Sequence, residues 1–93
     1  MPKPKPTAQA AARVTYYVLQ TFSRDKKGVT VDEPIEKRSQ GEAMRASARA
    51  KDTKVGAIVF SRTGDPISGD WDDAVIHEQW GETPAGFEDM AAA

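Results

Sequence analysis

The stretch Lys54–Gly81, KVGAIVFSRTGDPISGDWDDAVIHEQWG, decides how the rest of the chain must fold. Its first part, Val55–Phe60, is an almost unbroken β-branched and aromatic run. Such a run suits a central strand or one buried on both faces. Ser61 and Arg62 follow. Ala74–Trp80 then alternates Ala74, Ile76, Glu78 and Trp80 against Val75, His77 and Gln79. Neither set is cleanly apolar, so one side of this second strand is expected to meet water near its end. Between the two, Thr63–Asp73 carries Gly64-Asp65-Pro66 and Gly69-Asp70-Trp71. These are turn residues: glycine permits positive φ, aspartate bonds nearby backbone and proline fixes φ. The expectation is a hairpin with a long structured loop, and loops of that kind are often functional.

Outward from this hairpin, 93 residues suffice for one small domain. The hydrophobic fraction of 39% overstates the core, because fourteen of those residues are alanine. The larger ones include seven Val and four Ile but a single Leu, a sheet-forming palette. Without cysteine there is neither a disulfide framework nor a thiolate metal site. No apolar run approaches the roughly 18 residues that would span a bilayer. The N-terminal MPKPKPTAQAAA has no apolar core of the secretory type. These features point to a cytoplasmic protein away from the membrane.

The net charge of −1 conceals a division. All 13 Lys and Arg lie within residues 1–62 beside six acids, whereas residues 63–93 hold eight acids and no base. One reading is a basic face for nucleic acid with an acidic lure for a basic partner. The simpler one, which we favour, is that the two halves lie side by side in the fold and neutralise each other.

Residues 1–12, with Lys-Pro-Lys-Pro, are expected to be a disordered N-terminal tail. Arg13–Phe22, RVTYYVLQTF, reads as the first strand, with Tyr16 and Tyr17 on opposite sides. At least one tyrosine is expected to pack in the core; stacking on a base is the less common use. Ser23–Gly28 is a turn, and Val29–Val31 a short strand that Glu33-Pro34 ends or confines to an edge. Ser39-Gln40-Gly41-Glu42 fits a capping box, in which the Glu42 carboxylate reaches back to the Ser39 amide. A helix is expected over residues 40–51, with Ala43, Ala46, Ser47 and Ala50 as a small-residue stripe. Beyond Pro84, residues 85–93 read as a loose C-terminal tail. The expected fold is therefore α+β: a four-stranded, mainly antiparallel sheet in the order β-β-α-β-β, with one helix packed on it and a single domain over 13–84.

The candidate sites are few. Arg45 and Arg49, four apart on the helix, suit phosphate, although Glu42 and Asp52, each three residues away, are expected to pair with them. His77 has no cysteine partner and no obvious nucleophile, so it reads as structural, and no catalytic residue is assigned. Asp65, Asp70, Asp72 and Asp73 match no calcium-loop pattern, so no metal and no cofactor are assigned. Arg62 and Asp65 suit a fork closing the loop. Trp71, amid acids, suits a partly exposed anchor for a partner.

At this loop the chain resembles a family of small uncharacterised bacterial proteins, through Phe60-Ser61-Arg62-Thr63-Gly64-Asp65-Pro66 and the later Asp73-Ala74-Val75-Ile76 with Gly81 and Pro84. The resemblance covers roughly residues 13–84 and implies a compact α+β domain; the family brings no activity. A looser likeness, in the order of strands and helix alone, is to antitoxin-type domains. The expected function is a small non-enzymatic intracellular binding or regulatory module. It would use Arg62, Asp65 and Trp71 toward a protein partner, as a monomer or weak homodimer. The alternatives are a nucleic-acid-binding protein using the basic half through Arg45 and Arg49, and an enzyme or metal site at the acidic loop.

Overall fold

A computed structural model describes residues 13–84 and Phe87. Its elements are β1 (Val14–Asp25), β2 (Gly28–Val31), β3 (Ile35–Lys37), α1 (Gln40–Ala50), β4 (Gly56–Asp65), β5 (Asp70–Trp71) and β6 (Val75–Gly81). β1 and β4 form the centre of one curled antiparallel sheet, paired from Val14↔Gly64 to Phe22↔Gly56. β2 and β3 share the free side of β1, and β5 and β6 share the free side of β4.

The described residues are thus α+β and antiparallel with one helix, but the expected four-stranded β-β-α-β-β arrangement is incorrect: there are six strands among them. The reason is local. Each outer row is interrupted by an Asp-containing triplet and then resumes. Asp32-Glu33-Pro34 separates β2 from β3, because Pro34 cannot donate to a ladder. Asp72-Asp73-Ala74 separates β5 from β6. At the first break Asp32 is tied inward. Its N–H donates to the Thr21 carbonyl at 3.1 Å. Its carboxylate accepts from the Thr21 hydroxyl at 2.8 Å and the Ser23 hydroxyl at 2.9 Å, and lies 3.2 Å from the Lys54 ammonium. Burial works to raise the Asp32 pKa, but these hydrogen bonds and the Lys54 charge outweigh it and hold the carboxyl below its ordinary value.

The VGAIVF run does what its composition demands. Ala57 and Val59 face α1 in a cluster with Leu19, Ala43 and Ala46, bordered by Tyr17, Met44 and Trp80. Ile58 and Phe60 face the other way, in a cluster with Phe22 and Phe87, bordered by Val18, Val29, Val55 and Ala74. β4 is therefore buried on both sides. The small stripe of α1 buries Ala43, Ala46 and Ser47. Ser47 is tolerated at zero exposure because its hydroxyl accepts from the Trp80 indole N–H at 2.8 Å.

The helix start differs in detail from a full capping box. The Ser39 hydroxyl accepts from the Glu42 amide at 3.1 Å. The Glu42 carboxylate, however, reaches past Ser39 to the amide and guanidinium of Arg38. The Arg38 amide bond and then the Arg38 and Arg45 charges hold Glu42 below its usual range against a small cost of burial. The expected tails, 1–12 and 85–93, lie outside the described residues except at Phe87. That ring is buried at 7% exposure and meets Phe22 edge-on at 5.1 Å, so this position is part of the core.

Among the described residues two ion pairs join the basic part of the chain to the acidic part: Arg13–Asp72 at 2.8 Å and Arg24–Glu82. At these two places the halves do lie side by side. Among the described residues no helix is long and apolar enough to cross a membrane.

Candidate functional site

The site grows from the register of the central strands. Tyr16 sits opposite Arg62, and Val18 opposite both Phe60 and, on the other side, Glu36 of β3. Because side chains alternate along a strand, Tyr16, Val18, Glu36 and Arg62 project from the sheet face away from α1. Phe22, Ile58 and Phe60 fill one end of that face. The other end stays open as a shallow groove of about 540 Å³ lined by Tyr16, Val18, Glu36, Arg62 and Trp71.

Trp71 is placed there by the turn before it. Part of the expected long loop is strand: β4 runs on to Asp65, and β5 folds back with Asp65↔Asp70 and Gly64↔Trp71. Asp65 makes the reversal. Its carboxylate accepts from the amides of Ile67 at 2.9 Å and Ser68 at 3.4 Å, and its carbonyl from the Gly69 amide at 2.8 Å. Gly69 takes φ +82°, which suits glycine. Trp71 then lies across Gly64. A β-carbon on Gly64 would stand 2.5 Å from the indole, so only glycine leaves room for the ring.

The indole has two close neighbours and is not enclosed. The Tyr16 ring lies 5.7 Å away at a 31° tilt, and the Arg62 guanidinium stands 5.7 Å from its centroid, within reach of a cation–π attraction. Tyr16 and Trp71 each keep 36% of their surface exposed. Asp72, the residue after Trp71, is bound by Arg13.

Of the expected site residues, the fold brings Arg62 and Trp71 together and assigns Asp65 to the turn. The Arg62–Asp65 fork does not form. Three positions apart on one strand, they point to opposite faces, and Asp65 is engaged by backbone amides. Arg45 and Arg49 are exposed on the outer face of α1, remote from the groove. Among the described residues neither forms the expected close ion pair with Glu42 or Asp52: Glu42 is hydrogen-bonded to Arg38, and Arg45 acts on it through its charge alone. The four aspartates do not converge, and among the described residues no three metal-binding side chains gather at one point.

Sequence reasoning left three groove residues out of the candidate site. Tyr16, Val18 and Glu36 belong to segments far from the loop in sequence, and only strand pairing unites them with it. It also missed a contact on the helix face, where the Ser61 hydroxyl lies 2.9 Å from His77 Nε2. A serine bonded to imidazole is the first link of a nucleophilic dyad. Here Ser61 is buried, and among the described residues no carboxylate bonds the other ring nitrogen, so the pair reads as a satisfied polar contact. Its cause is a bulge: Ile76 faces Phe60 and Glu78 faces Val59, leaving His77 as the extra residue.

Comparison with protein-family models, with curated proteins and with solved structures returns no match.

Proposed function

We propose that the chain is a small non-enzymatic binding or regulatory module that engages a protein partner through the groove of Tyr16, Val18, Glu36, Arg62 and Trp71. The observation carrying this reading is the half-open stack of Tyr16, Trp71 and Arg62. Tryptophan, tyrosine and arginine are the residue types that dominate binding energy at protein interfaces, and here they are held in position before any partner arrives. Val18 supplies an apolar floor and Glu36 a charge for orientation. Asp65 acts indirectly, by holding the turn that presents Trp71.

The test is quantitative capture from a lysate of the source cell with the wild-type chain and with Trp71→Ala. A specific partner should bind the variant more than about tenfold more weakly. Ile67→Ala, at a turn residue 75% exposed outside the groove, serves as control and should leave capture intact. Equal retention by all three proteins would sink the proposal.

A second reading rests on Arg45 and Arg49, both exposed on α1. With acidic strands in the same sheet, nonspecific DNA affinity is expected to be weak, about 10⁻⁴ M at physiological salt. Micromolar binding with a steep salt slope, lost on Arg45→Ala/Arg49→Ala, would replace the protein-partner reading.

A further inference from the structure

The open face of the sheet carries an acid and a base at a fixed spacing, with Tyr16 and Val18 between them. Glu36 on β3 stands opposite Val18, and Arg62 on β4 opposite Tyr16, so β1 runs between the two charges. Two strand spacings across and two residues along put their backbones roughly 12 Å apart. The midpoint falls between Val18 and Tyr16. On β6, Ile76 faces Phe60 and is 40% exposed, which widens the apolar area. Trp71 helps to place Arg62, whose guanidinium stands 5.7 Å from the indole centroid. That group carries several N–H donors and can serve a further acceptor above the sheet. Glu36 is exposed, and among the described residues it forms no ion pair.

A face of this kind is complementary to itself. A two-fold axis lying along the face, between Val18 and Tyr16, exchanges the two charges. Glu36 of each copy then meets Arg62 of the other, and Val18 and Tyr16 meet their own counterparts. A foreign ligand would need the opposite charges at the same spacing by coincidence; a second copy has them by symmetry. Four strand widths by three paired rows, roughly 19 Å by 20 Å, give about 400 Å² per copy. The total of about 800 Å² lies below the roughly 1,200–2,000 Å² of stable complexes. The contact is therefore weak and reversible, and the two charge pairs set its register.

Resting on the binding role proposed above for this groove, we infer that the protein it engages is a second copy of this chain. The copies dock face to face, joined by two symmetric Glu36–Arg62 pairs.

Sedimentation equilibrium of the full chain, from micromolar to millimolar concentration, tests this. Wild type should pass from monomer to dimer and no further, because a two-fold contact closes on itself. Glu36→Arg and Arg62→Glu each set like charges against one another twice, and each should weaken dimerisation at least about tenfold. Mixed in equal amounts, the first variant brings two cations against two acids of the second. The mixture should dimerise within about threefold of wild type. The Trp80 indole resonance, on the other face against Ser47, should stay in place in every variant and so report folding. Glu36→Arg alters an exposed position on a short outer strand, so it tests the contact even where Arg62→Glu fails to fold. Monomer at every concentration would overturn the inference. So would a dimer that Glu36→Arg leaves unchanged, or two folded variants that do not rescue each other, since either places the contact elsewhere. The sample holds only this chain, so failure here leaves the capture test standing for a different protein. A capture test that returns no foreign protein leaves the charge-reversal result standing.

Discussion

Gly64 and Trp71 face each other across the β4–β5 ladder, and the side chain that Gly64 lacks is the space the indole fills. Gly64→Ala must therefore push the ring off the sheet or distort β5. Overpacking of this kind costs about 1–3 kcal/mol, to be read from urea unfolding. The Trp71 indole resonance should move while that of Trp80 stays.

Trp71 and Phe87 should behave in opposite ways when truncated. Trp71 is 36% exposed and Phe87 only 7%. Phe87→Ala should cost about 3–5 kcal/mol, as for a core aromatic. Trp71→Ala should cost less than about 3 kcal/mol, because only part of the ring leaves a packed environment. Urea titrations of both variants check the order; the reverse order would place Trp71 in the core and the segment after Pro84 outside it.

Asp65→Ala removes the acceptor for the Ile67 and Ser68 amides. A loss of about 1–3 kcal/mol is expected from these charge-assisted bonds. Hydrogen exchange should rise at Ile67 and Gly69 and remain unchanged in β1. A neutral result would mean that the turn is held by backbone alone.

Acid should weaken the fold partly through Asp32. Its pKa is lower folded than unfolded, so the folded state binds fewer protons as pH falls toward that value. The contribution is fully present above the unfolded value of about 3.9 and is lost as pH falls through the lower folded value. Asp32→Asn should therefore be less stable than wild type at neutral pH, and the gap should narrow in acid. Urea midpoints at pH 7 and pH 3 test the sign; a gap that widens in acid contradicts the assignment.

The central strand was legible because VGAIVF has only one economical use. Its two faces must both be covered, and Leu19 with α1 on one side and Phe22 on the other cover them. The helix was legible from Ser39 and its alanine spacing. Of the outer strands, Val29–Val31 and Ala74–Trp80 were legible as strands and match β2 and β6; β3 and β5 were not, because a proline signals that pairing stops without telling that it resumes at Ile35, and turn residues hid Asp70 and Trp71. What the sequence left unclear in β6 was its faces, because the bulge puts His77 and Glu78 on the same side and breaks the alternation. Arg62 and Trp71 stood out by residue type, and Tyr16 only as one of two tyrosines that could stack, whereas Val18 and Glu36 carried no local signal. Phe87 was hidden by Gly-Pro chemistry nearby, since one anchoring ring has no period.

The interruptions in the outer rows also govern how copies of this chain treat one another. An open sheet margin invites a stranger to add a strand, and the hazard grows with its uninterrupted length. Here one margin is divided into four and three residues and the other into two and a bulged seven, although Val31, Ile35, Val75 and Ile76 are all exposed. Asp32 and Pro34 thus protect against fibrous self-association as well as shaping the fold. Replacing Glu33-Pro34 by Thr-Val would let β2 run into β3 and give an apolar rim long enough to template aggregation.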